Sequence, residues 1–346
     1  MTHAPEPDPA FVEVWRGDVV ESRHRVHLAV VRPDGRLLAS AGDPDLVTFM
    51  RSTAKPFQAL FFADTLTKFG LGPRHHALAC ASHLGEDVHV ATAREILEAA
   101  EVPAAALHCG IHPPFSAATR EALRDRGELP TVLHNNCSGK HSGMLAAAKA
   151  NGWPLENYTA VEHPLQRGIA VAVAQVTGAA DLHVAIDGCG VPTFALPLRH
   201  AALAFARLAD PAAGPAVFRD RLSAAFDAMS GNPLLVGGTD SFDTRLMEAE
   251  PGVVVSKFGA EMFHALALRG TRWGALGVVL KIEDGGNATR ARDVAVLRVL
   301  DRLGVVAEAE LLPKLTTPVL HNAAGTEVGR VQAAFELRFE PDQELL

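Results

Sequence analysis

Residues 26–40, VHLAVVRPDGRLLAS, read as a β-hairpin: the apolar segments Val26–Val31 and Leu37–Ser40 bracket the turn Arg32-Pro33-Asp34-Gly35. A further apolar alternation at Val12–Trp15 precedes them. At the far end of the chain, Trp273–Ile282 reads as a buried strand ending at Glu283-Asp284-Gly285-Gly286, and Val328–Phe339 as a terminal strand. Between these ends the apolar periodicity is mostly helical, near Ser52–Leu66 and at about 87–100, 115–126, 140–151, 163–177, 213–230 and 290–303. Strands at both ends around a helical middle imply an α/β (α+β) fold with one largely antiparallel sheet built from terminal strands. No internal repeat and no linker interrupts Phe11 to Leu312, and the unusual motifs run from residue 51 to 285. The expectation is one catalytic domain, 11–346, with two interdigitated lobes, after a flexible arm, 1–10.

Net charge is −8, so no phosphate-neutralising excess exists, and neither nucleic acid nor an anionic membrane is the expected partner. No apolar run reaches the roughly 18 residues that span a bilayer. MTHAPEPDPA, the first ten residues, has neither the basic nor the apolar region of a signal peptide, so the expected location is cytoplasmic. In a cytosolic chain, Cys80, Cys109, Cys137 and Cys189 are expected as reduced thiols or metal ligands.

Five motifs could carry chemistry. In Arg51-Ser52-Thr53-Ala54-Lys55-Pro56, Ser52 and Lys55 share one helical face, and Pro56 requires Ser52 to lie near the helix N-terminus. There the backbone N–H groups favour an oxyanion, and a neutral lysine can take the serine proton. Depressing a lysine from about 10.4 to near neutrality costs roughly 4 kcal/mol, which burial and a neighbouring cation can supply. The competing reading is an N-cap serine and a surface lysine. Cys80-Ala81-Ser82-His83-Leu84-Gly85 places a hydroxyl beside an imidazole at an element junction, as nucleophile, relay, substrate anchor or simple helix cap. His134-Asn135-Asn136-Cys137-Ser138-Gly139-Lys140-His141 is a dense polar run between an expected strand, Thr131–Leu133, and a helix, and reads as a site loop. With Asp187-Gly188-Cys189-Gly190, its Cys137 and Lys140 could make a three-ligand metal site completed by water, suited to zinc. Buried free thiols are the alternative. Gly237-Gly238-Thr239-Asp240-Ser241-Phe242-Asp243-Thr244 suits an amino-acid ammonium or carboxylate, and Ser256-Lys257-Phe258-Gly259 puts a lysine after the buried run Val253–Val255.

Together, R-S-x-A-K-P, C-A-S-H, N-C-S-G-K-H-x-G-M, D-G-C-x-x-P-T, K-x-G-A and K-I-E-D-G resemble the L-asparaginase II family from about Val12 to Leu300. The resemblance implies a fold similar to the serine β-lactamases and a homodimer that hydrolyses L-asparagine to aspartate and ammonia. It implies the catalytic pairs Ser52 with Lys55 and Ser82 with Lys257, and one zinc ion on Cys137, Lys140 and Cys189. Arg51, His83, Asn136, Asp187 and Gly238 are expected at the substrate, with Ser52 as nucleophile. Arg51 and Lys257 are expected to keep Lys55 neutral by charge repulsion. Three rivals stand beside this reading: a β-lactamase-like or glutaminase Ser–Lys amidase, a cysteine hydrolase using Cys137 with His134 or His141, and a zinc-containing amino-acid sensor without turnover.

Overall fold

The computed structural model describes residues 9–285, 291–306 and 317–341. Strands β1 (Ala10–Arg16), β2 (Val19–Val31) and β3 (Leu37–Ala41) open the chain, and the shorter β4 (Val47–Phe49), β5 (His183–Ile186) and β6 (Pro192–Pro197) follow. Later come β7 (Val254–Gly259), β8 (Phe263–Thr271), β9 (Gly274–Ile282), β10 (Val319–His321), β11 (Glu327–Ala334) and β12 (Arg338–Phe339). Among the described residues two sheets form, one ordered β10-β11-β1-β2-β9-β8-β7 with β3 and β12 branching from β2, the other β4-β6-β5. The hairpin read from residues 26–40 is present: Gly35 donates to the Arg32 carbonyl at 2.9 Å, and Val31 pairs with Leu37. The terminal-strand sheet is also present, with β11 beside β1 and β9 beside β2, every pairing antiparallel. The fold is therefore mixed α/β, with the antiparallel sheet drawn from both ends of the chain.

Alternation along the strands divides the core into two layers. Ala29, Val31, Phe263, Ala265, Ala267 and Val279 face the large helical layer. Val26, Leu28, Val30, Leu266, Val278 and Leu280 face a smaller layer containing the helix Asp293–Leu303. A period of two makes each strand serve both layers, which is why these strands read as continuous apolar runs. The helix Leu198–Ala209 crosses β9 at Gly277, where a Cβ would lie 1.9 Å from the Ala202 carbonyl oxygen, so only glycine permits that contact.

Several expected elements differ in detail. The helix expected over Ser52–Leu66 is a 3₁₀ turn, Arg51–Ala54, followed by short helices Lys55–Ala59 and Ala63–Lys68. Thr131–Leu133 is not a strand. Val132–His134 is a 3₁₀ turn, closed by the Thr131 N–H donating to His134 Nδ1 at 3.0 Å. The terminal strand splits into β11 and β12, and the small sheet β4-β6-β5 was unforeseen apart from His183–Ile186. Residues 1–8 of the expected arm lie outside the described residues, and β1 begins at Ala10.

Candidate active site

The small sheet assembles two of the motifs. β4 runs directly into the Arg51–Ala54 turn, while β5 and β6 are joined by the tight turn Asp187–Val191, closed by Asp187 N–H on the Val191 carbonyl at 2.9 Å. Both motifs therefore leave the same sheet, and the Arg51 guanidinium reaches Asp187 Oδ1 through Nη2 at 2.8 Å and Nε at 3.0 Å. Arg51 holds φ at +50°, a left-handed conformation costly for any residue with a Cβ and often found at functional sites. Arg51, expected from the sequence as a repelling cation for Lys55, is thus itself paired with a carboxylate. Burial pushes the Asp187 carboxyl up, but the Arg51 hydrogen bond and Lys140 outweigh it and hold Asp187 below its usual range.

Lys55 lies one turn after Ser52, its backbone N–H donating to the Ser52 carbonyl. Its buried amine donates to Ser82 Oγ at 2.8 Å, the Ala81 carbonyl at 2.7 Å and the Asn136 carbonyl at 3.3 Å. Lys55 thus contacts Ser82, the serine expected to pair with Lys257. Ser82 is fully buried, whereas Ser52 is half-buried, and among the described residues its hydroxyl has no hydrogen bond. Lys257, on edge strand β7, is fully buried, with Nζ donating to the Phe258 carbonyl at 2.8 Å and lying 4.4 Å from the Phe258 ring centre. Burial lowers its pKa to about 7, with Lys55 and Arg292 adding to the fall and Asp243 opposing it. β7 can approach the Arg51–Ala54 turn because residue 259 is glycine: a Cβ there would sit 2.9 Å from the Met50 carbonyl oxygen.

The polar run 134–141, expected as a site loop, is mostly interior, because each side chain finds an internal partner. Asn135 Nδ2 donates to the Cys109 and Gly110 carbonyls, and its Oδ1 accepts the Cys137 N–H at 2.8 Å. The helix Ser138–Ala150 is buried over its first eleven residues and carries Lys140, whose Nζ donates to Cys189 Sγ at 3.2 Å. Hydrogen bonding between the Cys137 and Cys189 thiols, then the Lys55 and Lys140 ammoniums, hold one sulfur of the pair well below the ordinary thiol range despite burial. Burial would lower Lys140, but the two sulfurs and Asp187 more than offset this and raise it. His141 Nδ1 takes the Tyr158 hydroxyl at 2.6 Å, while its Nε2 is buried without a hydrogen-bond partner and faces Cys189. Two sulfurs, an amine and an orphaned imidazole nitrogen form a donor set that fits a borderline-soft ion. Among the described residues, no group of three or more His, Cys, Asp or Glu is placed to hold a metal. All four cysteines are free thiols.

The remaining expected residues are less central. His83 is fully buried against His89, its Nδ1 accepting the Gly85 N–H and its Nε2 facing Ser138 Oγ at 3.1 Å, so both nitrogens are occupied within the protein. Asn136 contributes its carbonyl to Lys55, and its N–H donates to His112 Nε2 at 3.3 Å. The Gly238 carbonyl accepts the Thr244 hydroxyl at 2.8 Å. Asp243, read as part of a ligand-holding loop, is instead fully buried, accepting Ser256 Oγ at 2.7 Å and the Phe258 N–H at 2.9 Å. Ser256 was quoted only as the neighbour of Lys257, without a role, and His264 was not singled out. The signal available was a serine immediately before Lys257, with too little around it to identify a partner.

Residues 12–333 match the family described as L-asparaginase II. The chain belongs to the L-asparaginase II family. A comparison with curated protein sequences finds no match. Among solved structures, native Mglu in 4.3 M NaCl is 17% identical, covering 83% of this chain and 63% of that one, with a TM-score of 0.35. Bacillus glutaminase in 4.3 M NaCl is 14% identical, covering 82% and 92%, with a TM-score of 0.37. Mglu in its tris and glutamate form is 16% identical, covering 86% and 64%, with a TM-score of 0.35. This family member thus spans somewhat under two thirds of the length of Mglu in two of these structures.

Proposed function

We propose that this chain hydrolyses the side-chain amide of L-asparagine through an acyl-enzyme on Ser52. The observation that carries the proposal is the buried Lys55 amine on the Ser82 hydroxyl at 2.8 Å, with Lys257 near neutrality in the same cluster of charges. A nucleophile must meet its substrate, and Ser52 is the half-exposed serine, while Ser82 is sealed. Ser82 suits a proton relay: its hydroxyl can pass a proton towards a neutral Lys257 while accepting one from Lys55. Lys55, so deprotonated, takes the Ser52 proton as Oγ attacks the amide carbon. The same route returns a proton to the departing ammonia, and water then hydrolyses the β-aspartyl ester. The Arg51–Asp187 pair borders this position and supports a role in receiving the substrate's carboxylate or ammonium.

Cys137, Lys140 and Cys189 would hold a zinc ion, which would supply a fixed positive charge for orienting substrate. The residues themselves tie the Asp187 turn to the buried helix, keeping Arg51 and Ser52 in register. The layered antiparallel arrangement supports a serine β-lactamase-like fold, and the free thiols support a cytoplasmic setting; a homodimer is the proposed assembly. Mass spectrometry of asparagine-quenched enzyme tests the mechanism: a mass increment on the Ser52 peptide is expected. A label on Cys137 would transfer the chemistry to a cysteine hydrolase. Turnover of nitrocefin in place of asparagine would favour the β-lactamase-like reading, and asparagine-dependent stabilisation without ammonia release would favour the sensor.

A further inference from the structure

On β7 the alternation sends Lys257 to the large helical layer and Ser256 and Phe258 to the other side of the strand. β7 is an edge of the sheet, so part of its backbone lacks a neighbouring strand. The Asp243 carboxylate, from the helix Phe242–Ala249, occupies that edge, with Oδ1 accepting Ser256 Oγ at 2.7 Å and Oδ2 the Phe258 N–H at 2.9 Å. Ser256 has one proton, and donates it to Asp243. At the 2.9 Å contact with His264 Nε2 the serine must therefore accept, which puts the neutral imidazole's proton on Nε2. His264 Nδ1 is then the bare nitrogen, in agreement with its lack of any hydrogen-bond partner. The result is a directed chain, His264 to Ser256 to Asp243, closed on the backbone immediately after Lys257.

Resting on the catalytic reading of Lys257, we propose that Asp243 is a positioning residue that fixes the Lys257 amine through the Phe258 peptide. The carboxylate grips the Phe258 N–H, and the Phe258 carbonyl in turn receives Lys257 Nζ at 2.8 Å. Asp243 is also the carboxylate that acts on Lys257. Among the described residues, Lys55 from the Ser52 turn, Arg292 beside the terminal helix and Cys137 from the start of the buried helix also act on it, while Cys80 and His83 feel its charge. Burial keeps His264 neutral, at about 3, so it adds no positive charge to the set.

The test compares Asp243→Asn and Ser256→Ala with the wild type in the full-length protein. Two readouts are used: the pH profile of kcat/KM for asparagine, and the titration of Lys257 followed by NMR of ¹³Cε-labelled lysine, assigned with Lys257→Arg. Asparagine at 243 keeps an acceptor for the Phe258 N–H but removes the charge. Its expected effects are a Lys257 midpoint and acid limb moved about half a pH unit or more downward, with kcat reduced about tenfold. Ser256→Ala frees one anchor of the carboxylate and is expected to lower kcat at unchanged KM. An unshifted Lys257 resonance in Asp243→Asn overturns the proposal, as does wild-type kcat in Ser256→Ala if the first variant does not fold. Should Lys257→Met retain activity, the catalytic reading of Lys257 fails, while the NMR midpoint still decides what Asp243 does.

Discussion

A lysine amine without water around it resists carrying charge, and Lys257 has that environment, with a pKa of about 7. As this folded-state value lies below the ordinary one, the penalty on the folded protein is complete below pH 7 and disappears as pH rises towards the ordinary lysine range. Stability contributed through this group therefore increases with pH across that window. Lys257→Met should raise the melting temperature relative to wild type more at pH 6 than at pH 9.5; equal differences would contradict the assignment. The same ionisation sets the expected acid limb of asparagine turnover near pH 7, and Lys257→Met should reduce kcat by about a hundredfold or more. For the sulfur site, enzyme purified with zinc should carry about one equivalent per chain, lost in Cys137→Ser and Cys189→Ser, as metal analysis would show. Most of the residues in these experiments were legible as motifs. Their full set of contacts was not: spacing links Ser52 with Lys55, and the structure adds a hydrogen bond from Lys55 to Ser82, a contact set by the packing of the segment 80–83 and not by helical periodicity. Asp243 was misread for a related reason, since a short polar loop looks the same whether its carboxylate faces solvent or a strand edge.

Elements explain how distant motifs meet. The sheet β4-β6-β5 delivers the Ser52 turn from one edge and the Cys189 turn from the other. Of its three strands only His183–Ile186 was read in advance, because β4 has three residues and β6 carries two prolines, both poor strand signals. The helix Leu198–Ala209 is pressed onto β9 at Gly277, and this contact ties the large helical layer to the sheet. Gly277→Ala must displace that helix backbone, so a loss of about 3 kcal/mol is expected, measured as a lower denaturation midpoint with unchanged denaturant slope. A neutral substitution would mean that helix and strand are less tightly apposed than described. The hairpin at residues 26–40 was legible because its turn chemistry and its apolar flanks agree, which is the condition for a local segment to specify itself.

Across the whole molecule, the two ends of the chain hold each other. β11 covers β1, and Phe335 and Leu337 join the smaller core layer. A chain truncated after residue 306 should therefore lose cooperative melting by circular dichroism, since β1 would become a bare edge and the layer would open. The antiparallel sheet and its helical middle were legible because strand runs and helical periods occupy separate stretches of sequence. The pairing of β11 with β1 was not, since nothing local encodes which strand a terminal segment will join. This closure allows one interior to contain Ser82, Lys55, Lys257 and the Cys137–Lys140–Cys189 cluster together. The most direct test of its purpose is ammonia release by the purified chain with L-asparagine and L-glutamine side by side. Turnover of asparagine is expected, with kcat/KM exceeding that for glutamine by about tenfold or more, and abolished in Ser52→Ala. Absence of ammonia from asparagine, or preference for glutamine, would contradict it.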